Sequence, residues 1–383
     1  MGILDGVRIL DMTHVWFGPY TTMQLASMGA EVIKVEVPWG EMMRMPRPDT
    51  AIGGENPIFM YLNRNKKSLT LNLRSEEGKK VYFDLLKVSD VVIQNFSPGT
   101  MDRMGLGYDV LKSVNPKIIY AALSGYGQTG PWSPRRSFDI VGQAMSGIMY
   151  QTGYDEDPNG PPIRTCDAPG DLTPALWAVI GIMGSLMHRD KTGEGQMIDV
   201  SQVDVMMAQC PSIVTYSNVK LTREELLDIQ QRSFTGLYGR VKAKDGWVVV
   251  GAPRGNIFDR LKQIIGMEEI ESREPIDEWV GQRPVSEVLE TFEEGGVPCA
   301  PVLKPEEVED NIHVQARNGI IVVEHPKAGS IKQPNFPVKF EKTPGVVTAP
   351  SPLLGEHNEE IVTKLLGYTK EEYDTLKEKR VFG

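Results

Sequence analysis

Residues 7–37 read VRILDMTHVWFGPYTTMQLASMGAEVIKVEV. Val7-Arg8-Ile9-Leu10 is a short apolar run with the composition of a strand. Gly18-Pro19 punctuates the chain, Tyr20 to Met28 carries a helix-like pattern, and Gly29 stands where a glycine commonly closes a helix. Glu31 to Val37 then reads as a second strand. Strand, helix and strand in this order make a β-α-β unit.

The pattern repeats downstream. Ser68 to Leu73 alternates like a strand, Glu76 to Lys87 reads as a helix, and Asp90 to Phe96 reads as a strand whose unbroken apolar Val91-Val92-Ile93 is expected to be fully buried. Lys117 to Leu123 is another apolar strand. Strands alternating with helices imply an α/β fold, a parallel sheet covered on both faces. Residues 174–188 form a strong helix candidate, with Thr173 as N-cap and Pro174 at the first helical position, and Gln196 to Val200 follows as a strand. The character changes near residue 220. Leu221 to Gln231 is a charged, helix-like connector. Leu237–Ala243 and Trp247–Ala252 flank Lys244-Asp245-Gly246, and Asp-Gly between strands signals a hairpin. Helical patterns at 256–265 and 285–294 and strands at 298–303 and 320–324 complete a smaller α+β domain. The expected organisation is a large domain over 1–220, a small domain over 221–330, and a Pro-rich segment over 331–383 that ends in helices at 358–366 and 370–380.

Composition narrows the function. The chain has 383 residues, 40% hydrophobic and 24% charged, with a net charge of -10. That balance describes a soluble globular protein and argues against a nucleic-acid partner, which wants a basic surface. No run approaches the roughly 18 apolar residues of a membrane helix, and the N-terminus lacks a secretory pattern, so no membrane partner is expected. Cys166, Cys210 and Cys299 are too scattered for a disulfide or zinc framework and suit a reducing cytoplasm. The five histidines form no metal-ligand cluster, so no metal is expected.

Gly125-Tyr126-Gly127-Gln128-Thr129-Gly130 matches GxGxxG after a strand. A dinucleotide fingerprint also needs a helix opening there, which Pro131 and Pro134 forbid. The stretch reads instead as a glycine-rich loop at a strand's carboxyl end, a wall of a ligand crevice.

Several segments together carry a resemblance. They are Leu4-Asp5-Gly6-Val7-Arg8-Ile9-Leu10-Asp11, Gly18-Pro19, and Gly29 to Glu36. Asn63 to Ser68, Asn95-Phe96-Ser97-Pro98-Gly99, Asn115-Pro116 and Ser124 to Gly127 follow. Thr192-Gly193-Glu194-Gly195-Gln196 and Leu354-Gly355-Glu356-His357-Asn358 close the series. In this order, from about residue 3 to 368, the chain resembles the class III CoA-transferases, the carnitine- and bile-acid-type family. The resemblance implies a Rossmann-like large domain rejoined by the C-terminus, a small domain, and an interlocked, ring-like homodimer. It implies acyl-CoA and a carboxylic acid as substrates, with no tightly bound cofactor.

The resemblance also implies an aspartate nucleophile 21 positions before Thr192, which is Asp171, preceded by Gly170. Asp167 is the near rival and lacks the preceding glycine. Local physics agrees in part: Asp171 lies just before the expected helix at 174, whose N-terminal dipole of roughly +0.5 charge favours the ionised form. The same position suits a helix cap. CoA carries several phosphates, and the resemblance brings Leu71 and Arg74, then Asn95, Phe96, Arg103 and Met104, then Arg136, to the nucleotide, with His14 and Val15 in the first strand-to-helix loop. The three arginines suit phosphate, while Phe96 and Met104 suit adenine or the pantetheine arm; each residue also has an ordinary reading as surface or core.

Related acyl-CoA racemases place a histidine in a Gly-His-Asp segment. Here Ser137-Phe138-Asp139 stands there, and phenylalanine cannot carry a proton. Racemase is the rival within the resemblance, and a non-catalytic CoA-binding protein the rival outside it. Formyl-CoA transferases show a glutamine where this chain has Trp16, and a polyglycine loop that is absent near 231–239, which argues against a formyl or oxalyl substrate. Trp16, Phe17, Met42, Met43, Met45, Phe138 and Met149 hint at an apolar acyl pocket, with core packing as the plain alternative for most.

Overall fold

The computed structural model describes residues 2–156, 160–219, 222, 225 and 236–383. The expected connector at 221–231 lies outside the described residues except for Thr222 and Glu225. The chain divides into two units, Met1–Val214 with Asn318–Gly383, and Thr215–Arg317. The sequence places the corresponding changes of character near 220 and 330.

In the first unit six strands run β1 (Arg8–Asp11), β2 (Glu31–Glu36), β3 (Lys66–Thr70), β4 (Val91–Gln94), β5 (Ile119–Ser124) and β6 (Met197–Ser201). They form one sheet in the order β3-β2-β1-β4-β5-β6, and every pairing is parallel. The helices are α1 (Phe17–Ser27), α2 (Pro57–Leu62), α3 (Glu76–Lys87), α4 (Thr100–Arg103), α5 (Tyr108–Val114), α6 (Asp139–Met145), α7 (Ile148–Glu156), α8 (Pro169–Thr192) and α9 (Gln202–Ala208).

Successive side chains of a strand point to opposite faces, and here both faces are buried. Ile9, Val32 and Ile93 pack with Leu25 of α1 and Ala178 and Ile182 of α8. Their neighbours Leu10, Ile33 and Val92 pack with Val81 and Leu85 of α3 and Leu111 of α5. That is why the strands read as unbroken apolar runs rather than alternating ones.

Two helix starts differ from expectation. Helix α1 begins at Phe17, with Pro19 inside its first turn, where a missing N–H costs nothing. Helix α8 begins at Pro169, five residues before the expected Pro174, which lies inside it. It is long and apolar enough to cross a membrane by length and composition, but half of its most apolar stretch is buried inside the protein.

The C-terminal segment closes the open edge of β3. Asn358 Oδ1 accepts from Thr70 N at 2.8 Å, its Nδ2 donates to Thr70 Oγ1 at 2.8 Å, and His357 N donates to Ser68 O at 3.1 Å. Val381 and Phe382 end in the core. A covered edge cannot template another chain. Strands β10 (Ile320–His325) and β11 (Gly329–Pro334) pair as a hairpin within this unit rather than in the small one.

The second unit holds the antiparallel strands β7 (Gly236–Lys242), β8 (Trp247–Pro253) and β9 (Cys299–Pro301). Helices Asn256–Ile265, Glu274–Gly281 and Val285–Glu294 cover them around Val241, Val248, Leu261 and Phe292. The helix at 274–281 was not expected from the sequence.

Candidate active site

Six parallel strands deliver their carboxyl ends to one edge of the sheet, and the order reverses between β1 and β4. Ligands of such sheets sit in the crevice at that switch point. Two cavities lie there. The larger, of about 670 Å³, is lined by segments that end or follow β1, β2, β3 and β4. The smaller, of about 80 Å³, is lined from the ends of β1, β4, β5 and β6 and contains Asp171. His14 lines both.

The large cavity collects His14, Leu71, Arg74, Phe96, Arg103 and Met104, six of the nine CoA contacts drawn from the sequence. Lys79 joins the arginines. Neither Arg74 nor Arg103 enters an ion pair with a described residue, and Arg103 Nη2 donates to Thr100 Oγ1 at 2.8 Å. Both are exposed. They are therefore free to meet phosphate by charge-assisted hydrogen bonds. Phe96 lies against His14, ring centroids 5.4 Å apart. Val15 and Asn95 line the small cavity instead. Arg136 lines neither; it is exposed, and its neighbours Ser137 and Phe138 turn to the small cavity. Among the apolar candidates, Trp16, Phe17 and Phe138 line the small cavity and Met42 the large one, while Met43, Met45 and Met149 line neither.

Asp171 is the third residue of α8 and is buried. The helix has no side chain of its own at the cap, since Ala168 holds that place in a left-handed conformation. Asp139, the first residue of α6, supplies the cap from outside: its Oδ1 accepts from Gly170 N at 2.7 Å, and its Oδ2 accepts from Gln143 Nε2 at 2.8 Å. A Cβ on Gly170 would stand 2.3 Å from the Asp139 carbonyl oxygen. Glycine before the aspartate is thus required by the close approach of α6 to α8. The rival Asp167 is exposed, with a φ of 59°.

Gln202, the first residue of α9, donates from Nε2 to Asp171 Oδ1, and Ser137 Oγ donates to Gln202 Oε1 at 2.6 Å. Burial pushes the Asp171 carboxyl up to about 7; the Asp139 charge adds to the rise, and the Gln202 amide opposes it. The expected helix-dipole preference for the ionised form is outweighed by desolvation. Asp171 is therefore poised to change charge near neutrality. Gln202 and Asp139 were not singled out as site residues in the sequence. The readable signal for Gln202 was its place just past the last strand of the sheet.

The first loop is braced from beneath. Asp11, Lys34 and Lys66 are fully buried. Lys66 Nζ meets Asp11 Oδ2 at 3.0 Å and Lys34 Nζ meets Glu41 Oε1 at 2.8 Å. Burial pushes the Asp11 carboxyl up, but Lys66 and Lys34 together bring it well below the usual range. Glu41 Oε2 accepts from Val15 N at 2.8 Å, and His14 and Asn95 exchange hydrogen bonds at 3.0 and 2.8 Å. These ties hold Val15 at a φ of 68°, a strained conformation for a β-branched residue that costs about 1–3 kcal/mol.

The glycine-rich loop after β5 opens no helix before Asp139. Gly127 N is engaged by Ser124 Oγ and Gln128 N by Asp199 Oδ2, and Gly125 is the loop residue that reaches the small cavity. Among the described residues no cluster of three His, Cys, Asp or Glu side chains could hold a metal ion.

Fold and site define an α/β protein that sets a buried carboxylate beside a cation-bearing crevice at the carboxyl edge of a parallel sheet. The chain belongs to CoA-transferase family III, whose family model matches residues 4–358, and it is an enzyme of CoA transfer. It is 34% identical over 410 residues to a formyl-CoA:oxalate CoA-transferase of Streptomyces coelicolor, covering 98% of each chain. It is also 34% identical over 383 residues to a succinyl-CoA:glutarate CoA-transferase of Homo sapiens, covering 95% of this chain and 86% of that one. A crystal structure of a CAIB/BAIF family protein from Brucella suis superposes with a TM-score of 0.81 at 28% identity, covering 95% of this chain and 99% of that one.

Proposed function

We propose that the protein moves CoA from an acyl-CoA thioester to a free carboxylic acid through covalent intermediates on Asp171. The observation that carries this reading is a buried carboxylate in a cavity that shares His14 with the cation-bearing crevice. Asp171 attacks the thioester carbonyl and CoA leaves as the thiolate, giving a mixed anhydride. The thiolate attacks the aspartyl carbonyl and expels the acid, leaving CoA on Asp171; an acceptor carboxylate reverses the sequence. Covalent catalysis splits one difficult exchange into easier steps. Burial of Asp171 protects the anhydride from water. Oxyanions that develop at either carbonyl need main-chain donors. Gly125 and the start of α1, which has no side-chain cap at Trp16, line the cavity and suit that role.

In this reading Arg74, Lys79 and Arg103 hold phosphate while Leu71, Phe96 and Met104 pack on the adenine or pantetheine. CoA is a substrate, and the chemistry calls on no tightly bound cofactor, nucleic acid or membrane. Three free thiols suit a cytoplasmic setting. A homodimer is supported by exposed Leu176, Trp177, Ile180 and Met187 at helical spacing on α8, an apolar stripe of the kind that marks an interface. The racemase alternative is weakened by Phe138, which lines the cavity beside Asp171 and carries no proton.

The test is whole-protein mass measurement after incubation with a broad panel of acyl-CoA thioesters. A CoA adduct that maps to Asp171, is released by hydroxylamine and is absent in Asp171→Ala is the expected result. Turnover in that variant should fall by about 10⁴-fold or more, as for removal of other nucleophiles. Exchange of an α-proton without any adduct would overturn the transferase reading in favour of the racemase.

A further inference from the structure

The Gln202 amide is held more firmly than support of a charge requires. Gln202 is buried at the first position of α9. Ser201 Oγ caps that helix by accepting from Asp204 N at 3.0 Å, and Val203 N donates to Gly125 O at 3.1 Å. A Cβ on Gly142 would stand 3.1 Å from Gln202 Cβ. An amide can present either end, and its partners decide which. The ionised Asp171 carboxylate only accepts, so Nε2 faces it. Oε1 then faces Ser137 Oγ, 2.6 Å away, and the hydroxyl donates. Gly125 makes the room for this, since a Cβ there would overlap the Ser137 side chain. Gln202 and Ser137 line the small cavity, and neither lines the large one.

The two Asp171 oxygens are therefore unequal. Oδ1 takes the Gln202 donor, and among the described residues no donor meets Oδ2. Oδ2 keeps its lone pairs for attack on the acyl carbon, and the thiolate leaves with the C–S electron pair. In the resulting anhydride Oδ2 is the bridging atom and Oδ1 the aspartyl carbonyl oxygen. The thiolate then adds to Asp171 Cγ, and the carbonyl π pair moves onto Oδ1. Return of that pair expels the acid, which carries Oδ2 away, and leaves the CoA thioester with Oδ1 as its carbonyl oxygen. When an acceptor carboxylate adds to Cγ, charge develops on Oδ1 again. Each time it forms beside Gln202 Nε2. A fixed donor aimed at an atom that becomes an oxyanion lowers the barrier without reorganisation.

We propose that Gln202 is a second catalytic residue, donating to the oxyanion that forms on Asp171 Oδ1, and that Ser137 is the positioning residue that keeps its amide in the donating sense. The inference rests on the reading of Asp171 as the nucleophile. It adds a side-chain donor at the aspartyl carbonyl to the main-chain donors at Gly125 and the start of α1.

The experiment isolates the CoA adduct of the full chain by gel filtration and follows its cleavage by hydroxylamine with mass measurement. Hydroxylamine nitrogen adds to Cγ, the C–S bond breaks, and the products are the hydroxamate and CoA. Asp171 carries no charge in the adduct, so the rate reports the aspartyl oxyanion and not the ionisation of the carboxyl. Gln202→Met, close in volume but without a donor, should cleave about 10²-fold more slowly, the loss expected for one oxyanion donor. Ser137→Ala, which keeps the amide but frees it to turn, should cleave about 10-fold more slowly, as misplaced groups do. CoA affinity should stay within about 2-fold in both, a loss confined to the transition state. Adducts unfolded in urea should react at one rate; a slowing that persists there counts against the inference. Should Gln202→Met form too little adduct to isolate, Ser137→Ala decides: cleavage at the wild-type rate overturns the inference. Wild-type cleavage in both variants overturns it equally and leaves the transferase reading standing. No adduct in the wild-type protein overturns both.

Discussion

Asp171 sits between neighbours of opposite effect. Asp139 and burial hold its proton on, and the Gln202 amide stabilises the charge. A nucleophilic carboxylate must be ionised, and its pKa of about 7 lies above the ordinary carboxylate range. The second-order rate of adduct formation, which reports the free enzyme, should therefore climb about 10-fold per pH unit below the inflection and level off above about pH 7. Asp139→Asn removes the like charge and keeps the size and the acceptor for Gly170 N, though not the second acceptor for Gln143 Nε2, so it should move the inflection to lower pH. Gln202→Leu removes the supporting donor and should move it higher. An inflection near pH 4 in all three proteins would show that solvent reaches Asp171 and that burial has no hold on it. In the sequence, the family resemblance pointed to Asp171 through its spacing to Thr192. Its environment was not legible there, because Asp139 and Gln202 are 32 and 31 positions away along the chain.

At the scale of the element, helix α8 carries the lesson. Pro174 after Thr173 is a strong local start signal, yet the helix begins at Pro169. Pro174 has no N–H for the Gly170 carbonyl, so the first turn depends on partners outside the helix. The hydrogen bond from Gly170 N to Asp139 Oδ1 is one of them. Tertiary contact thus outweighs local propensity and moves Asp171 from before the helix to inside it. Glycine to alanine inside a helix ordinarily gains about 0.5–1 kcal/mol. Gly170→Ala should do the reverse, losing about 1–3 kcal/mol by overpacking against Asp139 and slowing adduct formation. Urea unfolding together with adduct kinetics checks both signs; a stabilised, fully active variant would count against the close packing of α6 on α8.

In the whole molecule, the last residues of the chain return beside the large cavity proposed to take CoA. Asn72 N donates to Val381 O at 2.8 Å, and Gly383 N donates to Thr70 Oγ1 at 2.9 Å. Leu71 and Asn72, beside these contacts, line the large cavity. Phe382 stacks on Tyr373 with centroids 5.2 Å apart. Phe382→Ala should cost about 3–5 kcal/mol of stability, as other buried aromatic truncations do. Deletion of residues 381–383 should weaken CoA binding measured by calorimetry at a temperature where the variant stays folded. Undiminished CoA affinity in the deletion would remove the tail from the site.

The periodicity of residues 7–37 and the runs at 68–73, 91–93 and 117–123 determined the parallel α/β sheet, because a strand buried on both faces must be apolar throughout. Proline placement excluded the dinucleotide motif, and the ordered segments from Leu4 to Asn358 determined the family and pointed to Asp171. Only the tertiary structure decided which residues share a cavity. It separated Val15 and Asn95 from Arg74 and Arg103, left Arg136 at the surface, brought Lys79 in, and placed the 320–334 hairpin in the large unit. These outcomes depend on contacts between residues distant in sequence, and neither local propensity nor spacing encodes them. The charge state of Asp171 belongs with them, since desolvation is a property of the packed protein and not of the residue.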